Sequence, residues 1–292
     1  MNVEQLKSLL RNNGIRPNFT YGQNFLIDDI VLQDIVDDAK VSSKDVILEI
    51  GPGVGNLTKH LCQKARFVLS IEKDPKFFPI LKAIKKDHPD NFRFEIADAL
   101  EFNFQDFFIK EGFKSYSVVA NIPYYITGKI LQMFMTAKFK PESITVLTQK
   151  EVAQNICALP GGLSVLAISV QLFGQPELLR VVPANSFHPA PKVDSAVLKI
   201  TLNKTPKYKL NDETKFFKIV KACFAGKRKQ IHNTLTNNLG LDKTYALEIL
   251  SELKIKPTSR PQELTIDQWI ELTNKISPPA LPAWEMNNNY LS

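Results

Sequence analysis

Asp45-Val46-Ile47-Leu48-Glu49-Ile50-Gly51-Pro52-Gly53-Val54-Gly55-Asn56-Leu57-Thr58 decides the fold. An apolar run of strand length stops at three closely spaced glycines, and residues 55–64 then carry a helical pattern. A strand that feeds a helix through a glycine turn opens a strand–helix–strand unit. The alternation continues outward. Residues 67–72 (FVLSIE), 91–97 (NFRFEIA), 116–121 (YSVVAN) and 143–149 (SITVLTQ) read as strands. Between them Pro75 opens one helix and residues 128–137 (GKILQMFMTA) form another. Such alternation predicts a parallel sheet covered on both faces, whose buried strands are continuous apolar runs. Residues 169–174 (SVQLFG) suggest a further element, and the alternating stretch 193–202 (VDSAVLKITL) suits a strand that closes the sheet antiparallel.

Upstream, Val3, Leu6, Leu9 and Leu10 suit a short helix over residues 3–12, and Asp28 and Asp29 stand where an N-cap belongs, ahead of Ile30, Val31, Ile35 and Val36. Downstream, the polar stretch 203–211 (NKTPKYKLN) reads as a linker. Only helical patterns follow, over 213–225, 229–240 with Gly240 as C-cap, and 242–253. The expected division is a sheet domain over residues 1–203 and a helical domain over 204–292. The tail 278–292 shows no pattern.

With 292 residues and 44% hydrophobic content, the chain can build one large and one small core. Cys62, Cys157 and Cys223 are odd in number and far apart, which suits reduced thiols in a cytoplasmic protein. His60, His88, His188 and His232 are scattered too, so no metal site is expected. No apolar run approaches the ~18 residues of a membrane span, and the first residues do not resemble a signal peptide. The net charge of +7 is by itself weak support for a polyanionic partner.

The glycine spacing carries more. Dinucleotide-binding turns want G-x-G-x-x-G, with pyrophosphate on the helix N-terminus. Here Gly55 comes one position early and Asn56 takes the expected place, which favours a ligand without pyrophosphate and disfavours an NAD oxidoreductase. Glu72, Asp98 and Asn121 follow the second, third and fourth strands of the series. In a doubly wound sheet those carboxyl ends share the ligand-binding edge. Each acid alone also fits a helix cap or a solvated loop; their shared position favours a ligand. This arrangement over residues 45–150 resembles the class I, Rossmann-like methyltransferases. The resemblance implies that the glycine turn meets the amino-acid part of S-adenosylmethionine, that Glu72 holds the ribose and that Asp98 holds the adenine.

Asn121-Ile122-Pro123-Tyr124 closes the fourth strand. This pattern resembles the motif of enzymes that methylate amines attached to planar rings. Such an amine is a poor nucleophile because its lone pair is delocalised. Two acceptors aimed at its N–H bonds, the Asn121 side-chain carbonyl and the backbone carbonyl that follows, let it pyramidalise. Pro123 fixes φ and brings no competing N–H, and Tyr124 offers a face to stack the base. Tyr21-Gly22-Gln23-Asn24-Phe25-Leu26, NIPYYITGKI (121–130) and FHPAPKVDSA (187–196) together resemble the small-subunit ribosomal RNA adenine dimethyltransferases (KsgA/RsmA type) along nearly the whole chain.

That resemblance implies a mostly parallel, seven-stranded sheet domain with a small C-terminal all-helical domain. It implies N6,N6-dimethylation of two adjacent adenines in the 3′-terminal hairpin of 16S rRNA, within a small-subunit assembly particle, by a monomer without metal. The implied cofactor contacts are Gln23, Asn24, Leu26, Gly51, Gly53, Gly55, Glu72, Lys73, Asp98, Ala99 and Asn121. The implied catalytic set is Asn121, Ile122, Pro123, Tyr124 and Phe187, with Tyr124 and Phe187 sandwiching a flipped base. Phe187, set among Pro and His outside any periodic run, reads as a loop residue. Two departures, Ala97 for the family's usual glycine and Gly128-Lys129 for its Ser-Pro, touch no polar role.

Nine basic residues between Lys204 and Lys229 face only Asp212 and Glu213 in sequence. Alone the run also fits a solvated helix face. Its end, Lys227-Arg228-Lys229, resembles a family segment and is expected to meet RNA phosphates, which position RNA without reading sequence. Two rivals are the related large-subunit rRNA methyltransferases of macrolide resistance, which share the cofactor and NIPY logic, and a non-catalytic RNA-binding assembly factor.

Overall fold

The structure, a computed structural model, describes residues 1–17, 22–205 and 207–276. Tyr21 of the N-terminal motif, Pro206 of the linker and the tail 278–292 lie outside the described residues. The described residues divide into two compact units: those of 1–154 with 174–204, and those of 155–173 with 205–276.

Unit 1 opens with α1 (Val3–Asn12), whose Asn2 and Gln5 form a reciprocal capping box. After β1 (Phe25–Leu26), Asp28 caps α2 (Asp29–Asp38) by accepting from Ile30 and Val31 N–H. Then come β2 (Val46–Ile50), α3 (Asn56–Lys64), β3 (Phe67–Glu72), α4 (Phe78–Asp87), β4 (Phe92–Ile96), α5 (Phe104–Lys110), β5 (Ser117–Asn121), α6 (Thr127–Thr136) and β6 (Ser143–Gln149). The helix α7 (Lys150–Ile156) leads out of unit 1, and α8 (Val165–Phe173) belongs to unit 2. The chain returns as β7 (Gly174–Val182), β8 (Phe187–His188) and β9 (Ser195–Leu202).

The seven-stranded sheet has the order β4-β3-β2-β5-β6-β9-β7. β2 to β6 are parallel, and β9 runs antiparallel to both β6 and β7. All five residues of β2 and all six of β3 are buried, as expected of parallel strands covered on both faces. The strand order reverses between β2 and β5, which creates a switch point where loops diverge and leave a crevice. β8 does not join this sheet. It pairs antiparallel with β1, Leu26 opposite Phe187 and Phe25 opposite His188.

Unit 2 contains α8, α9 (Glu213–Phe224), α10 (Ile231–Leu239), α11 (Lys243–Glu252) and α12 (Ile266–Lys275) around Trp269 and Phe216, both fully buried. This division differs from a linear split at 203/204. The further element expected at 169–174 is the end of the helix α8, and Ala167, Ile168 and Leu172 pack with Phe216, Phe217 and Val220. A helix as apolar as VLAISVQLF needs most of its surface covered, and α9 supplies part of that cover. α12 was not legible as a separate pattern, although Thr265 and Gln268 form a capping box at its start.

Gly55 holds a left-handed φ of 75° at the N-cap of α3. A Cβ there would stand 2.1 Å from Cδ1 of Ile84, which is buried in α4. Gly55 is therefore a packing glycine. Gly55→Ala is expected to lose about 1–3 kcal/mol of unfolding free energy from overpacking in addition to backbone strain. Urea titration checks this, and Ile84→Val in the Gly55→Ala background should recover only the packing share. Phe187 is 3% exposed and sits in the apolar cluster with Leu26, Leu32 and Val197. It is a core strand residue, not a loop aromatic, because pairing with Leu26 carries it inward. Phe187→Ala should cost about 3–5 kcal/mol of stability; a fully stable variant would contradict this placement.

Candidate active site

A cleft lies at the carboxyl edge of the sheet, with about 1060 Å³ of empty space when the open solvent at its mouth is included. Gln23, Asn24, Leu26, Gly51, Gly53, Glu72, Lys73, Asp98, Ala99, Asn121, Ile122, Pro123 and Tyr124 all line it. Gly55 and Phe187 do not, for the reasons of packing given above. Lys227, Arg228 and Lys229 belong to unit 2, where they are exposed on the turn between α9 and α10.

Parallel register makes the convergence. Glu72 closes β3 opposite Ile96 of β4, so Asp98 follows only two residues beyond that pair. Asn121 closes β5, a strand that flanks β2 on its other side. The glycine turn leaves β2 between them, its Gly51 N–H bonded to the Ile71 carbonyl at 2.9 Å.

Glu72 is 6% exposed, and burial raises its pKa above the ordinary carboxylate range. Its two oxygens accept from Gly53 N–H at 2.9 Å and Asp74 N–H at 2.8 Å. Each carboxylate oxygen has a second lone-pair direction, so the group keeps acceptor capacity beyond these two bonds. Asp98 lies in the opposite regime. Its hydrogen bond from Lys73 Nζ at 2.7 Å, with a further one from Leu100 N–H, holds its pKa below the usual value. Asp98 is thus an acceptor over the whole neutral range.

Asn121 donates its Nδ2 to the Asn24 carbonyl at 3.5 Å, and among the described residues Oδ1 has no hydrogen-bond donor. The segment carrying Asn24 is fastened further: Gln23 donates to Asp74 at 3.2 Å, Asn56 donates to the Leu26 carbonyl at 2.8 Å, and β1 pairs with β8. Asn56, which displaces the third glycine of a dinucleotide turn, here ties α3 to β1. The Tyr124 phenol meets Ser195 Oγ at 2.6 Å, and burial raises its pKa.

Some of the site was not read from sequence. Glu49 lines the cleft at 1% exposure, accepts from Thr58 and Ser70 hydroxyls at 2.7 and 2.6 Å, and is pushed up to about 7 by burial. A single acid inside the apolar run VILEI was the available signal. Asp74, which holds Gln23 and the start of the turn at 75–77, is another. Its only signal was its place just before Pro75.

The residues present fit S-adenosylmethionine. A Cβ on Gly53 would stand 3.2 Å from the Phe25 ring, so the turn hugs the cleft wall as only glycine permits. A buried carboxylate with spare acceptor capacity suits a ribose diol, and an ionised one beyond β4 suits an adenine amine. Among the described residues no group of three His, Cys, Asp or Glu side chains is placed to hold a metal ion, and no helix is long and apolar enough to cross a membrane.

The comparisons agree with this chemistry. The family model for ribosomal RNA adenine dimethylase matches residues 14–277. The chain is 37% identical over 270 residues to ribosomal RNA small subunit methyltransferase A of Dehalococcoides mccartyi strain CBDB1, covering 92% of each chain. It is 38% identical over 275 residues to the protein of the same name from Clostridium botulinum strain Okra, covering 92% of this chain and 98% of that one. A solved dimethyladenosine transferase from Plasmodium falciparum superposes with a TM-score of 0.72 at 25% identity, covering 85% of this chain and 95% of the other. The 23S rRNA methyltransferase ErmE superposes with a TM-score of 0.68 at 26% identity, covering 86% and 99%. The chain belongs to the ribosomal RNA adenine dimethylase family, and is an S-adenosylmethionine-dependent enzyme that methylates adenine in ribosomal RNA.

Proposed function

We propose that this enzyme dimethylates N6 of two adjacent adenines in the 3′-terminal hairpin of 16S rRNA, acting as a cytoplasmic monomer on a small-subunit assembly particle. The observation that carries the site assignment is the placement of Glu72, Asp98, Asn121 and Tyr124 along one cleft at successive strand ends. The small-subunit target is supported by relatives named for that activity.

When bound, S-adenosylmethionine supplies an electrophilic methyl on a sulfonium sulfur. Glu72 would take the ribose hydroxyls, with its own position fixed by Gly53 and Asp74. Asp98 would accept from the cofactor's adenine amine, and Lys73 keeps it ionised. Gly51 and Gly53 give the amino-acid part room against the turn, and Gln23, Asn24 and Leu26 form the facing wall. Asn121 Oδ1 and the Ile122 carbonyl would accept from the target amine and turn its lone pair toward the methyl. Pro123, at φ −57° and ψ 132°, brings no N–H to the peptide of that carbonyl, and Tyr124 stacks the extruded base. No strong base is needed, because the methylated amine is acidic enough to release its proton to solvent.

Lys227, Arg228 and Lys229 would contact phosphates. Lys227 and Lys229 are fixed through backbone bonds to Phe224 and Gly226, while their side chains and that of Arg228 are exposed. Lys215, Lys218 and Lys221, half-buried along α9, are less available for that contact than the sequence run suggests.

Incubation with labelled S-adenosylmethionine and unmethylated small subunits, beside large subunits and naked rRNA, tests the target. Label is expected on the two hairpin adenines; label confined to large-subunit RNA would overturn the assignment. Asn121→Ala should slow single-turnover methyl transfer by roughly 30- to 1,000-fold, the scale of one preorganised polar contact, with little change in RNA binding. Cofactor affinity should fall on acidification. Glu72 accepts as the anion, and its raised pKa puts the loss above the usual value of 4.5. Calorimetry over a series of falling pH should show this trend, and Glu72→Gln should flatten it. A wild-type pH trend in Glu72→Gln would move the effect to Glu49.

A further inference from the structure

We infer that Ser195 is a positioning residue for the catalytic turn, its hydroxyl holding the Tyr124 ring in the pose that meets the target base. This rests on the proposal that Tyr124 stacks that base. Tyr124 opens a single 3-10 turn, Tyr124–Ile126, between β5 and α6. Such a turn belongs to no strand ladder, so the backbone alone fixes the ring poorly. The next residue, Tyr125, is 57% exposed, so burial does not orient every ring in this turn.

The partner atom is held in the opposite way. Ser195 is fully buried, and it is the first residue of β9, in register with Gln149 of β6 on one side and Val182 of β7 on the other. Strand pairing on both flanks leaves its Cα little freedom. The 2.6 Å contact between the two hydroxyls therefore transmits the rigidity of the sheet to the far end of the Tyr124 ring. Restraint at the phenol oxygen fixes the direction of the ring axis, which a stacking face needs.

A second hydroxyl pair restrains the other end of the same turn. Thr127 Oγ1 and Thr148 Oγ1 lie 3.2 Å apart, with both residues buried, and Thr148 is in register with Ala196, the neighbour of Ser195. Both ends of the turn are thus tied to the point where β6 meets β9. The antiparallel closing strand has a catalytic consequence: it presents Ser195 to the site although it contributes nothing to the cofactor wall.

The test compares Ser195→Ala, Tyr124→Phe, the double variant and Tyr124→Ala. The measurements are kcat and KM on unmethylated small subunits, Kd for S-adenosylmethionine, and Tm. Ser195→Ala should lower kcat by about 3- to 10-fold, the scale of one neutral hydrogen bond, with KM and cofactor Kd unchanged. Tyr124→Phe should match it, and the double variant should be no worse than either, because both remove the same bond. Ser195→Ala that lowers Tm but leaves kcat intact would show a structural role only and overturn the inference. Single effects that multiply in the double variant would overturn it too. If Ser195→Ala does not fold, Tyr124→Phe decides alone, and a wild-type kcat there rejects the positioning role. Tyr124→Ala separates the two ideas. If it is unimpaired, the stacking proposal fails; if it is impaired while Ser195→Ala and Tyr124→Phe are not, only the positioning role fails.

Discussion

Two backbone N–H groups, of Gly53 and Asp74, converge on the buried carboxylate of Glu72. A buried charge is tolerable only when hydrogen-bonded, and this one is bonded to the two loops it must organise. Gly53 belongs to the turn after β2, and Asp74 to the loop after β3. Through Asp74 the constraint reaches Gln23, and with it the wall formed by Asn24 and Leu26. The cleft is therefore built around one carboxylate whose burial and ligand-holding capacity have the same origin.

Three of the carboxyl groups that line the cleft occupy three electrostatic settings. Glu49, within β2, is pushed up to about 7 by burial, and the nearby Glu72 adds to the shift. Glu72, at the end of β3, is raised by burial against the pull of its backbone donors. Asp98, beyond β4, is lowered by Lys73. Different environments make chemically similar groups do different work. In this site the gradient runs from the closed strand interior toward the rim, so the group kept most firmly ionised is the one nearest solvent.

The catalytic turn obeys a different logic. Asn121 ends a parallel strand and inherits its position from the sheet. Tyr124 lies beyond the last ladder bond and borrows rigidity from a neighbour in space, Ser195, that arrives 71 residues later in the chain. The antiparallel β9, with β7 beyond it, thus closes the sheet and also stiffens the substrate side of the site. The helical unit reaches its own completeness by taking back residues 155–173, a segment that precedes the last two sheet strands in sequence.

The sequence by itself determined the alternation of β2 to β6 with helices, the turn at Gly51–Gly55, and the strand-end positions of Glu72, Asp98 and Asn121. These follow from local signals, because period, glycine spacing and strand ends are written within a few residues. Tertiary structure decided the rest. Phe187 turned inward because pairing with Leu26 outweighed the loop character of its Pro-rich setting. Gly55 proved to answer to Ile84 in another helix, which no local spacing announces. Glu49 and Ser195 joined the site through partners contributed by other strands and helices. Burial and hydrogen-bond partners of that kind are properties of packed surfaces, and they exist only once distant segments meet.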